Sequence, residues 1–210
     1  MSASRAASWA HAESFVEEAP VVERARRDGE RLGAAPVGTG TGAALRVIAA
    51  MLRARHVIEI GTGAGTSGAW LLDGMPSDGV LTTIDVEPEH ASRARRTFAE
   101  AGIPPQRTRV ITGRALDVLP RLNDGAYDLV HVDADTKGYP EYAEHGIRLL
   151  RPGGVLALEN MLWHDTVADP ASRDATTVLL RDLGKSLRDD ERLASALLPV
   201  GGGLLVAVRR

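Results

Sequence analysis

The spacing of apolar residues changes near residue 56, and that change divides the chain. Upstream, residues 3 to 18 and 20 to 33 are rich in Ala, Glu and Arg and predict two helices. Pro20 suits a first helical turn and Gly33 suits the end of the second helix. PVGTGTG, 36 to 42, reads as a flexible connection into a third helix, ALRVIAAMLRA, whose Leu45, Ile48, Ala49 and Leu52 recur at helical spacing. From residue 56 short apolar runs alternate with amphipathic stretches: HVIEI then SGAWLLDGM, VLTTIDV then PEHASRARRTFAEAG, RTRVIT then ALDVLPRL. YDLVHVD then YPEYAEHGIRLL follow, and GGVLALEN precedes a helix around 172 to 188. Strands alternating with helices of this length predict a doubly wound α/β fold, a parallel sheet covered on both faces. The last segment, RLASALLPVGGGLLVAVRR, has two runs with no helix between them, which predicts an antiparallel hairpin and brings the strand count to seven.

Composition narrows the picture. At 210 residues and 44% apolar content the expectation is one domain, 1–210, with 1–35 a helical extension and 36–210 a core. The net charge of -3 and pI near 6.1 supply no basic field for nucleic acid. With no cysteine, disulfides, thiolate metal sites and cysteine nucleophiles drop out, and a reducing, cytoplasmic setting fits. No apolar run approaches a membrane span, and the opening MSASRAASWAHAESF lacks the apolar centre of a signal peptide.

The chemistry begins in VIEIGTGAGTSG, 57 to 68, which contains a literal G-x-G-x-x-G between a strand and a helix. In a doubly wound sheet that loop borders the ligand crevice, and its glycines allow backbone to approach a ligand closely. The pattern usually signals a dinucleotide, and a nicotinamide-dependent reductase is the rival reading. Glu59, two residues before Gly61, argues against it: a buried carboxylate beside a pyrophosphate adds like-charge repulsion. An adenosine ligand with an ammonium and a sulfonium and no phosphate, S-adenosylmethionine, makes an acid there favourable. Asp85 ends the next strand and can accept ribose hydroxyls from either ligand, or cap the helix that follows.

EIGTGAGTS, IDVEPE, VITGRALDVLPRL, VDAD followed by YPEY, and LLRPGGVLALENMLW, in this order over residues 35 to 210, resemble the small cation-dependent O-methyltransferases, the family of catechol and caffeoyl-coenzyme A methyltransferases. The resemblance implies a Rossmann-like, seven-stranded class I methyltransferase fold binding S-adenosylmethionine. It implies that Val37 lies over the cofactor, that Glu59 and Ser67 hold its methionine end, and that Gly61 and Thr62 lie in the loop. Asp85 would bind ribose, Val86 would pack beside adenine, Ala115 would approach the adenine ring, and Asp133 would face cofactor and substrate.

The resemblance also implies a divalent cation, Mg2+ or else Mn2+ or Ca2+, on Asp133, Glu159 and Asn160, which are all oxygen ligands. Here the family's Asp-Asn pair reads Glu159-Asn160, one methylene longer. Its usual lysine is displaced as well: Thr136 stands there and Lys137, the candidate catalytic base, comes one place later. These departures keep open a catalytically eroded S-adenosylmethionine-binding protein. Tyr139, Tyr142 and Trp163 are placed near the mouth, where they could sandwich a planar small-molecule acceptor; for Tyr142 and Trp163 core packing is the alternative. The histidines show no ligand spacing and receive no metal role. Surplus Ala, Val and Leu in the N-terminal helices, with the family's habit, point to a homodimer.

Overall fold

The computed structural model describes residues 5–210. Three helices come first: α1 (Arg5–Glu13), α2 (Pro20–Arg31) and α3 (Thr39–Leu52). The alternating region then runs β1 (His56–Ile60), α4 (Thr66–Gly74), β2 (Val80–Asp85), α5 (Pro88–Glu100), β3 (Thr108–Thr112) and α6 (Ala115–Val118). It continues through β4 (Tyr127–Val132), α7 (Tyr139–Leu149), β5 (Leu150–Leu158) and α8 (Ala175–Asp189) to β6 (Leu193–Leu198) and β7 (Leu204–Arg209).

The seven strands form one sheet in the order β3-β2-β1-β4-β5-β7-β6. β1 to β5 are parallel, while β7 is antiparallel to both β5 and β6. This is the predicted Rossmann-like sheet with its terminal hairpin. Strand order reverses between β1 and β4, so the crevice beyond their carboxyl ends is the switch point where such sheets bind ligands. Backbone bonds continue past the strands there: Gly61 N donates to Ile84 O (2.9 Å), Asp133 N to Ile60 O (2.8 Å) and Glu159 N to Val132 O (3.0 Å).

Alternate residues of each strand serve opposite faces. Ile58, Ile84, Val130 and Leu156 pack with Tyr139 and Ile147 of α7 and with Leu180 and Leu187 of α8. Val57, Leu81, Leu129, Val155 and Ala157 pack with Leu45 of α3, Leu71 of α4 and Phe98 of α5. α2 lies outside this second layer against α4 and α5.

Three boundaries differ from expectation. The first helix, expected over 3 to 18, ends at Glu13; positions 3 and 4 lie outside the described residues. Ser14 Oγ donates back to Ala10 O at 3.0 Å, a local side-chain bond of the kind that competes with helix continuation. Nor is PVGTGTG a flexible connection. Thr39 opens α3, and Gly40 and Gly42 lie in its first turn, packed so closely that a β-carbon at Gly42 would strike the Trp70 ring. The third segment expected as a helix, ALDVLPRL, gives only one helical turn before a 3-10 turn, Leu119–Arg121, with Pro120 near its start.

Candidate active site

The alternation that builds the core also builds the site. On the α3–α4 face the apolar series Val57, Leu81, Leu129 and Val155 gives way toward the strand ends to Glu59, Thr83 and His131. Glu59 is in register with Thr83 on one side and with His131 on the other, and His131 pairs onward with the small Ala157.

Glu59 is fully buried and its two oxygens are satisfied: Ser67 Oγ donates to Oε1 and Thr83 Oγ1 to Oε2, each at 2.6 Å. Thr83 Oγ1 also lies 2.6 Å from Thr62 Oγ1. Ser67 spends its only proton on Glu59, so it offers lone pairs to a cavity of about 870 Å3. Glu59 therefore acts on that cavity from behind Ser67.

Gly61, Gly63 and Gly65 all have positive φ (95°, 49° and 88°). Asp85 fixes the turn they make, its Oδ2 accepting from Thr62 N (3.0 Å) and Gly63 N (2.8 Å). Its Oδ1 accepts from Glu87 N at 2.9 Å. A carboxylate has about four acceptor positions, so Oδ1 keeps one for a ligand hydroxyl. His90, which the sequence reading left without a role, sets its Nδ1 3.3 Å from Asp85 Oδ2 and its Nε2 3.4 Å from Leu32 O. It thereby ties α5 to the segment before Pro36.

Of the residues named from the sequence, Gly61, Thr62, Ser67, Asp85, Val86, Ala115, Asp133, Lys137 and Asn160 line this cavity, as do Tyr142 and Trp163. Val37 is buried and does not line it, whereas the preceding residues Gly33 to Pro36 do. Tyr139 is a correction: it is fully buried among the α7–α8 core residues and does not line the mouth, although its hydroxyl feels Asp133 and Glu159. Tyr142 does reach the mouth, but its hydroxyl donates to Asp135 Oδ1 at 2.7 Å. Asp135 also accepts from Gly138 N at 3.2 Å, which fixes the turn carrying Thr136 and Lys137. Lys137 is exposed on the rim.

At the other end of the cavity Asn160 Nδ2 donates to Asp133 Oδ1 at 3.0 Å. Glu159 is buried; its Oε1 accepts from Thr41 Oγ1 (3.2 Å) and Gly202 N (3.3 Å), and its Oε2 has no hydrogen-bond partner among the described residues. Burial raises the Glu159 pKa to about 7, with Asp133 adding like-charge repulsion. Burial also raises Asp133, to about 6, with His131 pulling the other way and Glu59 reinforcing it. Burial alone would lower His131, but Glu59, with Oε1 3.5 Å from Nδ1, and then Asp133 and Glu159 outweigh it and raise its pKa. Five titratable side chains thus meet at this end of the site, the fifth being Tyr139, whose phenol is held well above its usual range by burial first and then by Asp133 and Glu159. The sequence reading missed His131, although it is the one polar residue within LVHV.

The loop after β5 bends sharply. Asn160, Trp163, His164 and Asp165 all adopt positive φ, and Trp163 O accepts from Thr166 N (3.0 Å) and Thr166 Oγ1 (2.6 Å). Runs of left-handed non-glycine residues are costly and concentrate at functional sites. Among the described residues no three of His, Cys, Asp and Glu are grouped as metal ligands, and no helix is long and apolar enough to cross a membrane.

A family model described as O-methyltransferase matches residues 12–210, which extends the likeness beyond residue 35 into the N-terminal helices. A probable O-methyltransferase of Mycobacterium tuberculosis is 49% identical over 201 residues, covering 96% of this chain and 90% of that one. A protein from Corynebacterium glutamicum superposes with a TM-score of 0.88 at 34% identity, covering 95% and 94% of the two chains. An O-methyltransferase of tomaymycin synthesis from Streptomyces achromogenes, solved in complex with S-adenosylmethionine, superposes at 0.86 with 28% identity over 99% of each chain. The nicotinamide-dependent reductase and the eroded binding protein are thereby set aside. The crevice at the switch point, the acid behind its glycine loop and these likenesses together make the chain a member of the O-methyltransferase family, an enzyme that draws its methyl group from S-adenosylmethionine.

Proposed function

We propose that the methyl acceptor is a small aromatic molecule with vicinal hydroxyls and that a divalent cation assists the transfer. The observation that carries this reading is the acceptor end itself: two carboxylates, Glu159 buried and Asp133 on the cavity wall, repel each other, one oxygen of Glu159 has no partner, and Tyr142 and Trp163 line the adjoining wall. Hard oxygens short of positive charge fit a hard cation. Asp133, Glu159 and Asn160 would hold Mg2+, Mn2+ or Ca2+. Such an ion, when bound, stabilises the phenolate of a chelating hydroxyl and lowers its pKa.

The cofactor's methionine end is assigned to Ser67 backed by Glu59, the loop contact to Gly61 and Thr62, ribose to Asp85, and the adenine side to Val86 and Ala115. Val37, buried next to the cavity-lining Pro36, is assigned beside the cofactor. Asp133 stands between cofactor and acceptor. The acceptor oxygen attacks the sulfonium methyl in line; the C–O bond forms as the C–S bond breaks, and its electron pair leaves with S-adenosylhomocysteine. Lys137, on the rim, is the candidate base: as the free amine it takes the hydroxyl proton and becomes an ammonium. The protein's main contribution is to hold oxygen and methyl in near-attack geometry.

Methylation of catechol, read by mass spectrometry, tests this. Turnover is expected to fall on the order of 100-fold in EDTA and to return with Mg2+ or Mn2+, the range over which one electrostatic stabiliser acts. Both acids must be ionised to hold an ion, so calorimetric Mg2+ affinity should strengthen as the pH rises through 6 to 7. Turnover indifferent to EDTA, or no saturable ion binding up to millimolar concentrations, would remove the cation from the reading.

Residues 1–35 are assigned to the same unit as the core, since α2 packs on α4 and α5. The absence of cysteine supports a cytoplasmic setting. A homodimer is supported by Phe15, Val47 and Met51, which are 76%, 50% and 81% exposed, the last two one helical turn apart on α3. Light scattering at micromolar concentration should return a dimer mass; a monomer mass would remove this assignment.

A further inference from the structure

Two carboxylates far apart in the chain, Glu13 and Glu159, clasp the same pair of backbone segments. Glu159 accepts from Thr41 in the first turn of α3 and from Gly202 in the β6–β7 turn. Glu13, the last residue of α1, accepts from the residue next to each: Gly40 N donates to its Oε2 (3.2 Å) and Gly201 N to its Oε1 (2.6 Å). The segments are thus held between an outer acid and an inner one.

The residue types follow from that clasp. A β-carbon on Gly40 would overlap the Glu13 carboxyl group, and one on Gly201, at φ +53°, would overlap Thr41 Oγ1 and crowd Glu159 Oε1. Gly38, at the N-cap of α3, has no side chain with which to bond the helix's free amides. Glu13 supplies that acceptor from a distance. Its own position would otherwise be unfavourable, because an acid at a helix C-terminus opposes the helix dipole, whereas the start of α3 attracts it.

We propose that Glu13 is a positioning residue: by fixing Gly40 and Gly201 it sets the two donors that orient the Glu159 carboxylate at the acceptor end of the site. The N-terminal helix thereby contributes to turnover without touching either substrate. The part taken by Glu159 in turnover rests on the reading given above.

The test is a double-mutant cycle with Glu13→Gln and Glu159→Gln, with Glu13→Ala as the full truncation. Glu13→Ala should lower kcat for catechol on the order of 10-fold, since small misplacements of reacting groups carry penalties of this size and larger. Its S-adenosylhomocysteine affinity by calorimetry should stay within about twofold, because the cofactor residues are held by other bonds. Glu13→Gln keeps one acceptor oxygen and should restore part of kcat. In the Glu159→Gln background the same Glu13 change should cost almost nothing, whereas a general stabilising role would give additive losses. Additive losses, cofactor affinity falling in step with kcat, or Gln behaving like Ala would each overturn the proposal. If the parent methylates no catechol, the acceptor reading fails; the cycle read as urea stability of the cofactor-loaded protein still tests the coupling, and additivity there would overturn it. If Glu13→Ala does not fold, the Gln variants carry the whole test.

Discussion

Glu59→Ala should give a protein whose thermal midpoint falls on the order of 10 °C and whose S-adenosylhomocysteine binding is beyond calorimetric detection. Glu59 is fully buried and accepts from Ser67 and Thr83, so its removal strands two hydroxyl donors. It also removes the nearest counter-charge to the buried His131 imidazole, which then meets the desolvation cost that Glu59 offsets. Breaking a buried charge pair from one side costs about 3–5 kcal/mol, and each kcal/mol moves the midpoint of a chain this size by roughly 2–4 °C. Binding suffers separately, because Ser67, no longer held, can turn its proton toward the cofactor's ammonium. Glu59→Gln keeps one acceptor oxygen and the volume, and should fall between parent and Ala. A midpoint for Glu59→Ala within about 2 °C of the parent would mean that this acid carries none of the load assigned to it.

Gly61→Ala is expected to be as damaging by a different route. Gly61 has φ +95°, and a β-carbon there would run into the Asp133 carbonyl oxygen. Relief requires β1 and β4 to separate at their carboxyl ends, where Asp133 N donates to Ile60 O and where the cavity opens. Gly102 and Gly125 provide the control, because they too have positive φ (71° and 63°) but nothing within 4 Å of an added carbon. Alanine there should cost about 1 kcal/mol of backbone strain. Urea denaturation should show Gly61→Ala several kcal/mol below either control, with cofactor binding lost. A Gly61→Ala variant that matches Gly102→Ala would show that the strand ends yield easily.

Much of this architecture was legible because it is written in short-range periodicity. Short apolar runs such as HVIEI and VLTTID marked β1 and β2, and the single acid in the first placed an ionisable group behind the glycine loop. What escaped depends on contacts distant in sequence. Nothing local to GTGTG shows that Glu13 and Trp70 press against two of its glycines, so closeness of packing was read as looseness. Tyr139 beside Pro140 looks like a mouth residue until α7 is seen to turn it inward. His131 lay in plain view, in the same alternating series that drew attention to Glu59, yet its significance appears only when β1 and β4 are neighbours.

The glycine turn held by Asp85 has a kinetic consequence. Its amides are already ordered by the protein's own carboxylate, so the loop has little conformational freedom left to surrender on association. Encounter with S-adenosylmethionine should then be a single step whose observed rate climbs in proportion to concentration, without the plateau that a slow rearrangement imposes. Discrimination between fresh and spent cofactor would lie in departure, because demethylation removes the sulfonium charge and leaves the shape of the turn unchanged.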